Sequence, residues 1–421
     1  MFRAFGPVIL CLLILTNVAY GLNVQSPAVV LLDAQTGRVL FAKNADERRE
    51  PASITKILTA LVALETAADP EAVVTVSAHA ADTPGSTALI EAGMEIPLSE
   101  LLQGMLLLSG NDAAVAVAEH ISGSVETFAE LMNARARAAG AKHSHFVNPS
   151  GLPDKEQYTT AYDMALIGRA AMQNPRLAEI SATKTCRLSW IDEPAINHNR
   201  LLWTYAQADG VKNGYTKAAK HTWVGSAAKD GVRLITAVLG AESRDIILAD
   251  QEAMFEYGFS LYEQVAVVEP GESVGQVTVI GGKESEVSVV TAQAAQVWAP
   301  TKLGVVITTE LELEPQVNAP LTGEEQLGVL RYMADGDQLA AIPLKAAHPV
   351  EPMPMLMKAG RYIKWSATGT LSLCAFAYMV RIVNRFRRYI NKKKRRKAVR
   401  AARRAARLRR MQEYEQYMDD L

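Results

Sequence analysis

Three short stretches carry side chains that could do chemistry together. In Pro51-Ala-Ser-Ile-Thr-Lys-Ile-Leu-Thr59, Ser53 and Lys56 stand three residues apart at the head of an apolar run that includes Ile57, Leu58, Leu61, Val62 and Leu64. A run of this length, unbroken by Gly or Pro, predicts a buried helix with Pro51 just ahead of its start, and the spacing puts both polar side chains on one face. A serine hydroxyl is a weak nucleophile until a neighbouring base takes its proton. An amine packed one turn away against apolar groups loses its charge more readily than a solvated one. The pair therefore reads as a candidate nucleophile, Ser53, and its activator, Lys56. Alone, the spacing equally describes a serine near a helix cap and a lysine whose stem snorkels. Ser181 with Lys184 and Ser226 with Lys229 repeat it, so context has to distinguish the copies.

The second stretch, Ser109-Gly110-Asn111, ends the apolar run Leu101 to Leu108, where side chains can leave packed surroundings and face a cleft. The third, Lys212-Asn213-Gly214, opens a strand-like segment. Each is a common loop tripeptide in isolation. In this order they match the set Ser-x-x-Lys, Ser-x-Asn and Lys-Thr-Gly of penicillin-binding proteins and class A β-lactamases.

The elements that must position these residues follow from the pattern. Ala28 to Asp33 and Arg38 to Lys43, with a turn at Gln35-Thr-Gly37, predict an N-terminal β-hairpin. Helical periodicity then dominates from Glu65 to Arg187, notably at Leu98 to Leu108, Ala113 to Ile121, Val125 to Ala139 and Ala161 to Met172. Strands return at Gly210 to Thr216, His221 to Ala228 and Val232 to Gly240, and a helix from Arg244 to Tyr262 follows. Two strand groups enclosing a helical insertion predict an α+β domain, with one antiparallel sheet drawn from both ends and helices on its faces. After Glu263 short alternating runs separated by Gly and Pro predict a small β-sandwich.

The chain resembles the D-alanyl-D-alanine carboxypeptidases of the low-molecular-mass penicillin-binding protein family. Besides the three motifs, Leu106 to Ala114 (LLLSGNDAA), Asn148 to Leu152 (NPSGL), Thr159 to Met164 (TTAYDM) and Asn199 to Trp203 (NRLLW) resemble stretches of that family. The likeness runs from about Pro27 to Tyr262 and more loosely beyond. It implies a serine DD-peptidase domain at 22–262 that needs no cofactor or metal, peptidoglycan stem peptides as substrate, and β-lactam antibiotics as covalent inhibitors. Ser53 would attack the carbonyl of the penultimate D-Ala, with Lys56 as base. Ser109 would relay a proton to the leaving amine, and Asn111 would bind the peptide carbonyl and orient Lys56. The N–H groups of Ser53 and Tyr215 would hold the oxyanion. Lys212 and Asn213 would bind the terminal carboxylate, and Gly214 would leave room for substrate along the strand edge. Asn213 departs from the pattern, replacing a hydroxyl by a longer amide.

A β-lactamase is the nearest alternative, but class A enzymes use an acidic residue for deacylation. The segment Lys142 to Asn148 contains no Glu. A zinc peptidase is disfavoured because the seven His form no His-Glu-x-x-His. A degenerate penicillin-binding protein that holds peptidoglycan without cutting it is the non-enzyme alternative, which only Asn213 favours.

The ends suggest a destination. Met1 to Gly21, with Arg3, an apolar run from Val8 to Thr16 and Ala19-Tyr-Gly21, reads as a signal peptide. Of three cysteines only Cys186 falls in the exported body, which argues against a disulfide framework. The net charge of -1 hides an asymmetry: residues 361–421 carry 18 Lys and Arg against 4 Asp and Glu, and the rest carries 26 against 41. The β-rich domain is expected at 263–348, a stiff Pro-rich linker at 349–361, a transmembrane helix at 362–383 and a basic cytoplasmic tail at 384–421. An interfacial helix is the competing reading of 362–383. Contact with anionic lipid explains the tail more simply than nucleic-acid binding, since few aromatics interrupt its charges.

Overall fold

The helix behind Ser53 is mostly apolar and buried for most of its length, and the domain is arranged to cover it. Thr55–Thr66 is buried from Thr55 through Ala63, and a helix of that kind must be wrapped by other elements. Each fully buried Ile57, Leu58 or Leu61 side chain contributes roughly 1.5–3 kcal/mol relative to exposure. The computed structural model describes residues 22–419; the side chains of 355–371, 413 and 415–419 lie outside that description, as does the expected signal peptide at 1–21.

Helices Leu98–Leu107, Asn111–Ser122, Val125–Ala138 and Ala161–Gln173 pack around the central helix. Their starts are set by local chemistry. Ser124 accepts the N–H of Thr127 and Thr160 that of Asp163, each satisfying a donor that a helix start leaves unpaired. Beside them lies a five-stranded sheet in the order Val39–Lys43, Ala28–Asp33, Val232–Ala241, Lys220–Lys229, Ala208–Thr216. All its pairs are antiparallel. The first two strands come from the start of the domain and the other three from its end, so the helical segment is an insertion between them. Val30, Leu32, Val224 and Ile235 belong to the core on the helical side. Val29, Leu31, Trp223 and Leu234 share the other core with Phe255 of helix Arg244–Ser260. Alternation of the two sets along the strands is the period-two pattern of a sheet covered on both faces.

The chain forms two compact units, each drawn from several segments. The first runs to Glu272 and includes Thr291–Glu312 and Gly328–Leu344; the second comprises Ser273–Val290, Leu313–Leu327 and Lys345–Leu421. In the first, Glu263–Val268 pairs antiparallel with Ala295–Ala299. In the second, Ser273–Ile280 pairs antiparallel with Glu286–Thr291 and parallel with Gln316–Asn318.

Three expectations change. The strand Gln326–Ala334 does not follow the expected short alternating pattern, because most of its residues are half-buried. The Pro-rich stretch is not a free linker: Val350 bridges to Leu321 and Pro352 to Gly282. A single helix, Met355–Asp419, begins directly after Pro354, so no linker persists to residue 361. Among the described residues no helix is long and apolar enough to cross a membrane; residues 362–371 of the expected span at 362–383 lie where side chains are not described.

Candidate active site

Ser53 sits on a single 3-10 turn, Ala52–Ile54, that runs directly into the central helix. Lys56, in the first turn of that helix, is 0% exposed. Its Nζ lies 3.0 Å from Ser53 Oγ, 2.7 Å from Asn111 Oδ1 and 2.7 Å from the carbonyl oxygen of Ser150. Burial and the nearby charge of Lys212 hold the Lys56 pKa well below the usual lysine value, while Asp112 works in the opposite direction.

Asn111 opens helix Asn111–Ser122, and its amide orientation is fixed from two sides. Nδ2 donates to Pro84 O at 2.7 Å, which turns Oδ1 toward Lys56. Ser109, buried and with a positive φ of 64°, forms the corner between this helix and Leu98–Leu107.

Lys212, Asn213, Gly214 and Tyr215 lie on the edge strand Ala208–Thr216. Lys212 is 1% exposed, its Nζ donates to Asn213 O at 3.1 Å, and burial lowers its pKa to about 7. A Cβ on Gly214 would fall 2.7 Å from the backbone N of Ser53, so the strand approaches the serine turn as closely as a glycine permits. Thr222, opposite Gly214 in register, donates to Pro51 O at 2.8 Å and ties the turn to the sheet. Asn213 is half-buried opposite Trp223, and its Oδ1 is buried without a hydrogen-bond partner. Tyr215 is 57% exposed and packs against His221, ring centroids 4.6 Å apart.

The structure thus joins Ser53, Lys56 and Asn111 by hydrogen bonds, brings Lys212 within electrostatic reach of Lys56, and sets Gly214 against Ser53. The other two Ser-x-x-Lys copies differ. Lys184 lies over the Trp203 ring, and Ser226 donates to Asp209 Oδ1 at 2.6 Å and accepts from Arg233. Sequence reasoning missed the Ser150 carbonyl, Thr222 and Asp112. The NPSGL stretch was the available signal for the first: Asn148 Oδ1 accepts from Gly151 N and Ser150 Oγ, shaping the loop that turns the carbonyl inward. Thr59 Oγ1 fastens that loop to the central helix through Pro149 O at 2.6 Å.

This fold, with a serine and a buried lysine one turn apart beneath a glycine-bearing strand edge, defines the penicillin-binding serine peptidase class. Profile comparison is specific: residues 16–243 match the family described as D-alanyl-D-alanine carboxypeptidase, and residues 262–352 match the penicillin-binding protein 5 C-terminal domain. The chain belongs to the D-alanyl-D-alanine carboxypeptidase family. It is 35% identical to D-alanyl-D-alanine carboxypeptidase DacF of Bacillus subtilis, over 76% of this chain and 85% of the relative. It is 32% identical to DacC of Escherichia coli, over 83% and 91%. Among solved structures, penicillin binding protein 5 of Haemophilus influenzae aligns with a TM-score of 0.57 at 30% identity, covering 78% of this chain and 98% of that one.

Proposed function

We propose that this chain is a serine-type D-Ala-D-Ala carboxypeptidase that removes the terminal D-alanine from peptidoglycan stem peptides through an acyl-enzyme on Ser53. The observation that carries the mechanism is the set of acceptors around Lys56. Asn111 Oδ1 and the Ser150 carbonyl can only accept, so a neutral amine spends its two hydrogens on them. Its lone pair is then left facing the Ser53 hydroxyl at 3.0 Å. Lys56 takes the Ser53 proton as Oγ attacks the penultimate D-Ala carbonyl. The N–H groups of Ser53 and Tyr215 stabilise the oxyanion, and Ser109 passes a proton to the departing D-Ala amine. Water then attacks the ester with Lys56 again as base. Asn111 keeps one Nδ2 hydrogen for the peptide carbonyl. Lys212 and the Asn213 amide receive the terminal carboxylate, whose arrival raises the Lys212 pKa and keeps its charge.

Penicillin presents a strained acyl group and a carboxylate to the same residues, so it should acylate Ser53 and no other serine. Mass spectrometry of a peptide digest after penicillin labelling, with Ser53→Ala as control, locates the adduct. An adduct on Ser109, Ser181 or Ser226, or undiminished labelling of Ser53→Ala, would overturn the assignment.

Asn213 supports a second reading, a protein that binds peptidoglycan without efficient cleavage. Release of D-alanine from a D-Ala-D-Ala peptide separates the two.

We also infer that residues 1–21 direct export, that 362–383 cross the membrane once, and that the basic tail lies in the cytoplasm against anionic lipid. The charge asymmetry and the uncharged stretch Trp365 to Val380 support this reading.

A further inference from the structure

Asp112 follows the Ser-Gly-Asn stretch directly, yet the mechanism above leaves it without a part. It is 1% exposed, and burying a carboxylate is costly unless its charge is compensated. Its oxygens turn to the segment 84–90. Oδ1 accepts from Ala88 N at 2.8 Å and from Ala113 N at 2.8 Å; Oδ2 accepts from Thr87 Oγ1 at 2.6 Å, Ala88 N at 2.9 Å and, more distantly, Ile90 N at 3.4 Å. Asn111 grips the same segment through Ser86 O and Pro84 O, each at 2.7 Å. The contact is too close for any side chain at Gly110, where a Cβ would fall 2.6 Å from Asp112 Oδ1 and 2.8 Å from Ala88 N.

A neutral acceptor could cap these N–H groups; the carboxylate adds a charge. Among the described residues two charged groups act on Lys56: Lys212 from the edge strand and Asp112 from helix Asn111–Ser122. The other groups at its amine, Ser53 Oγ, Asn111 Oδ1 and the Ser150 carbonyl, carry none. We propose that Asp112 is a positioning residue for acylation: it locks residues 84–90 onto the helix start that presents Asn111 to Lys56, and its charge offsets that of Lys212 at the Lys56 amine. This rests on the reading of Lys56 as the base.

The consequence has a sign. Acylation requires neutral Lys56, so its rate falls as pH drops through the Lys56 pKa. Asp112 raises that pKa and Lys212 lowers it. Removing the Asp112 charge lowers it further, so neutral amine persists to lower pH. The acid limb of the penicillin acylation profile should therefore move to lower pH in Asp112→Asn. The plateau should also fall several-fold, as the base weakens and the segment loosens. Thr87→Val loosens the segment and leaves the charge, so it should lower the plateau without moving the limb.

Acylation rate against pH for wild type, Asp112→Asn and Thr87→Val, with circular dichroism to verify folding, tests the proposal. An Asp112→Asn limb that stays in place or moves to higher pH overturns it, whatever happens to the plateau; so does an equal movement in Thr87→Val. If Asp112→Asn does not fold, Thr87→Val and Asp112→Glu decide: both are expected to lower the plateau at an unmoved limb, and a wild-type plateau in both overturns the proposal. Lys56→Ala separately tests the premise, since full acylation without that amine would defeat the base reading and the Asp112 inference with it.

Discussion

At the scale of the residue, a group is defined by what its neighbours can give and take. Lys56 has acceptor-only partners on two sides and a hydroxyl on the third, which is the surrounding the proposed base needs. The carboxylate end of the site is less complete. In the family pattern a hydroxyl and the Lys charge hold the terminal carboxylate together, and a hydrogen bond to a charged group contributes roughly 1.5–3 kcal/mol. If the amide of Asn213, whose Oδ1 is already buried without a partner, replaces only half of this, the loss is about 0.8–1.5 kcal/mol, roughly fourfold to tenfold in rate. Asn213→Thr should then raise D-alanine release from a D-Ala-D-Ala peptide several-fold and quicken penicillin acylation, while Lys212→Ala lowers both. Unchanged rates in Asn213→Thr mean that the amide is an adequate substitute. Ser53 and Lys56 were legible in the sequence through side-chain type and three-residue spacing, and Asn111 through its place in the Ser-x-Asn stretch. The Ser150 carbonyl was not, since a backbone oxygen has no residue type, and Asp112 was not, because its function depends on a segment 22–25 residues earlier in the chain.

At the scale of the element, the site is a contact between one turn and one strand edge. The turn Ala52–Ile54 is held by Thr222 Oγ1 on Pro51 O, and the strand approaches through Gly214. A methyl at 214 would fall 2.7 Å from both Ser53 N and Thr222 Oγ1, the hydroxyl that holds Pro51 O, so strand or turn must shift. Overpacking of this kind costs typically about 1–3 kcal/mol, and in a domain of this size each kcal/mol lowers Tm by roughly 2–4 °C. Gly214→Ala should therefore melt several degrees below wild type and acylate at least tenfold more slowly, because the turn that moves is the one carrying the nucleophile. Thermal denaturation and acylation kinetics on one preparation check both, and an unshifted Tm with normal acylation would show that the approach is not tight. The helices of the insertion and the sheet strands were legible to within a few residues, since apolar periodicity is strong where both faces are covered. The 3-10 turn was not, because its three residues carry no period of their own.

At the scale of the whole molecule, the question is which residues meet which solvent. The body carries an acidic excess, and residues 381–410 carry basic side chains without a single Asp or Glu. The described part of this segment is helical and exposed. Charge of one sign over that length resists burial in a core but is favourable beside an anionic leaflet, at about 1 kcal/mol for each Lys or Arg near the surface. Placing the active site outside and this segment inside also puts the carboxypeptidase with its substrate and satisfies the positive-inside rule. The uncharged stretch Trp365 to Val380, extended by Ile382 and Val383, is short for a perpendicular span, and Lys364 and Arg381 can snorkel to the two interfaces. On this topology, protease added to intact spheroplasts should digest the body and leave an epitope at the C-terminus protected until the membrane is opened by detergent. The full-length protein should sediment with membranes and resist extraction by 1 M salt, roughly the strength at which the screening length falls to about 3 Å. Release by salt alone would assign the attachment to the basic helix lying on the surface. Digestion of the tail at the same rate as the body would place both on one side and defeat the single crossing.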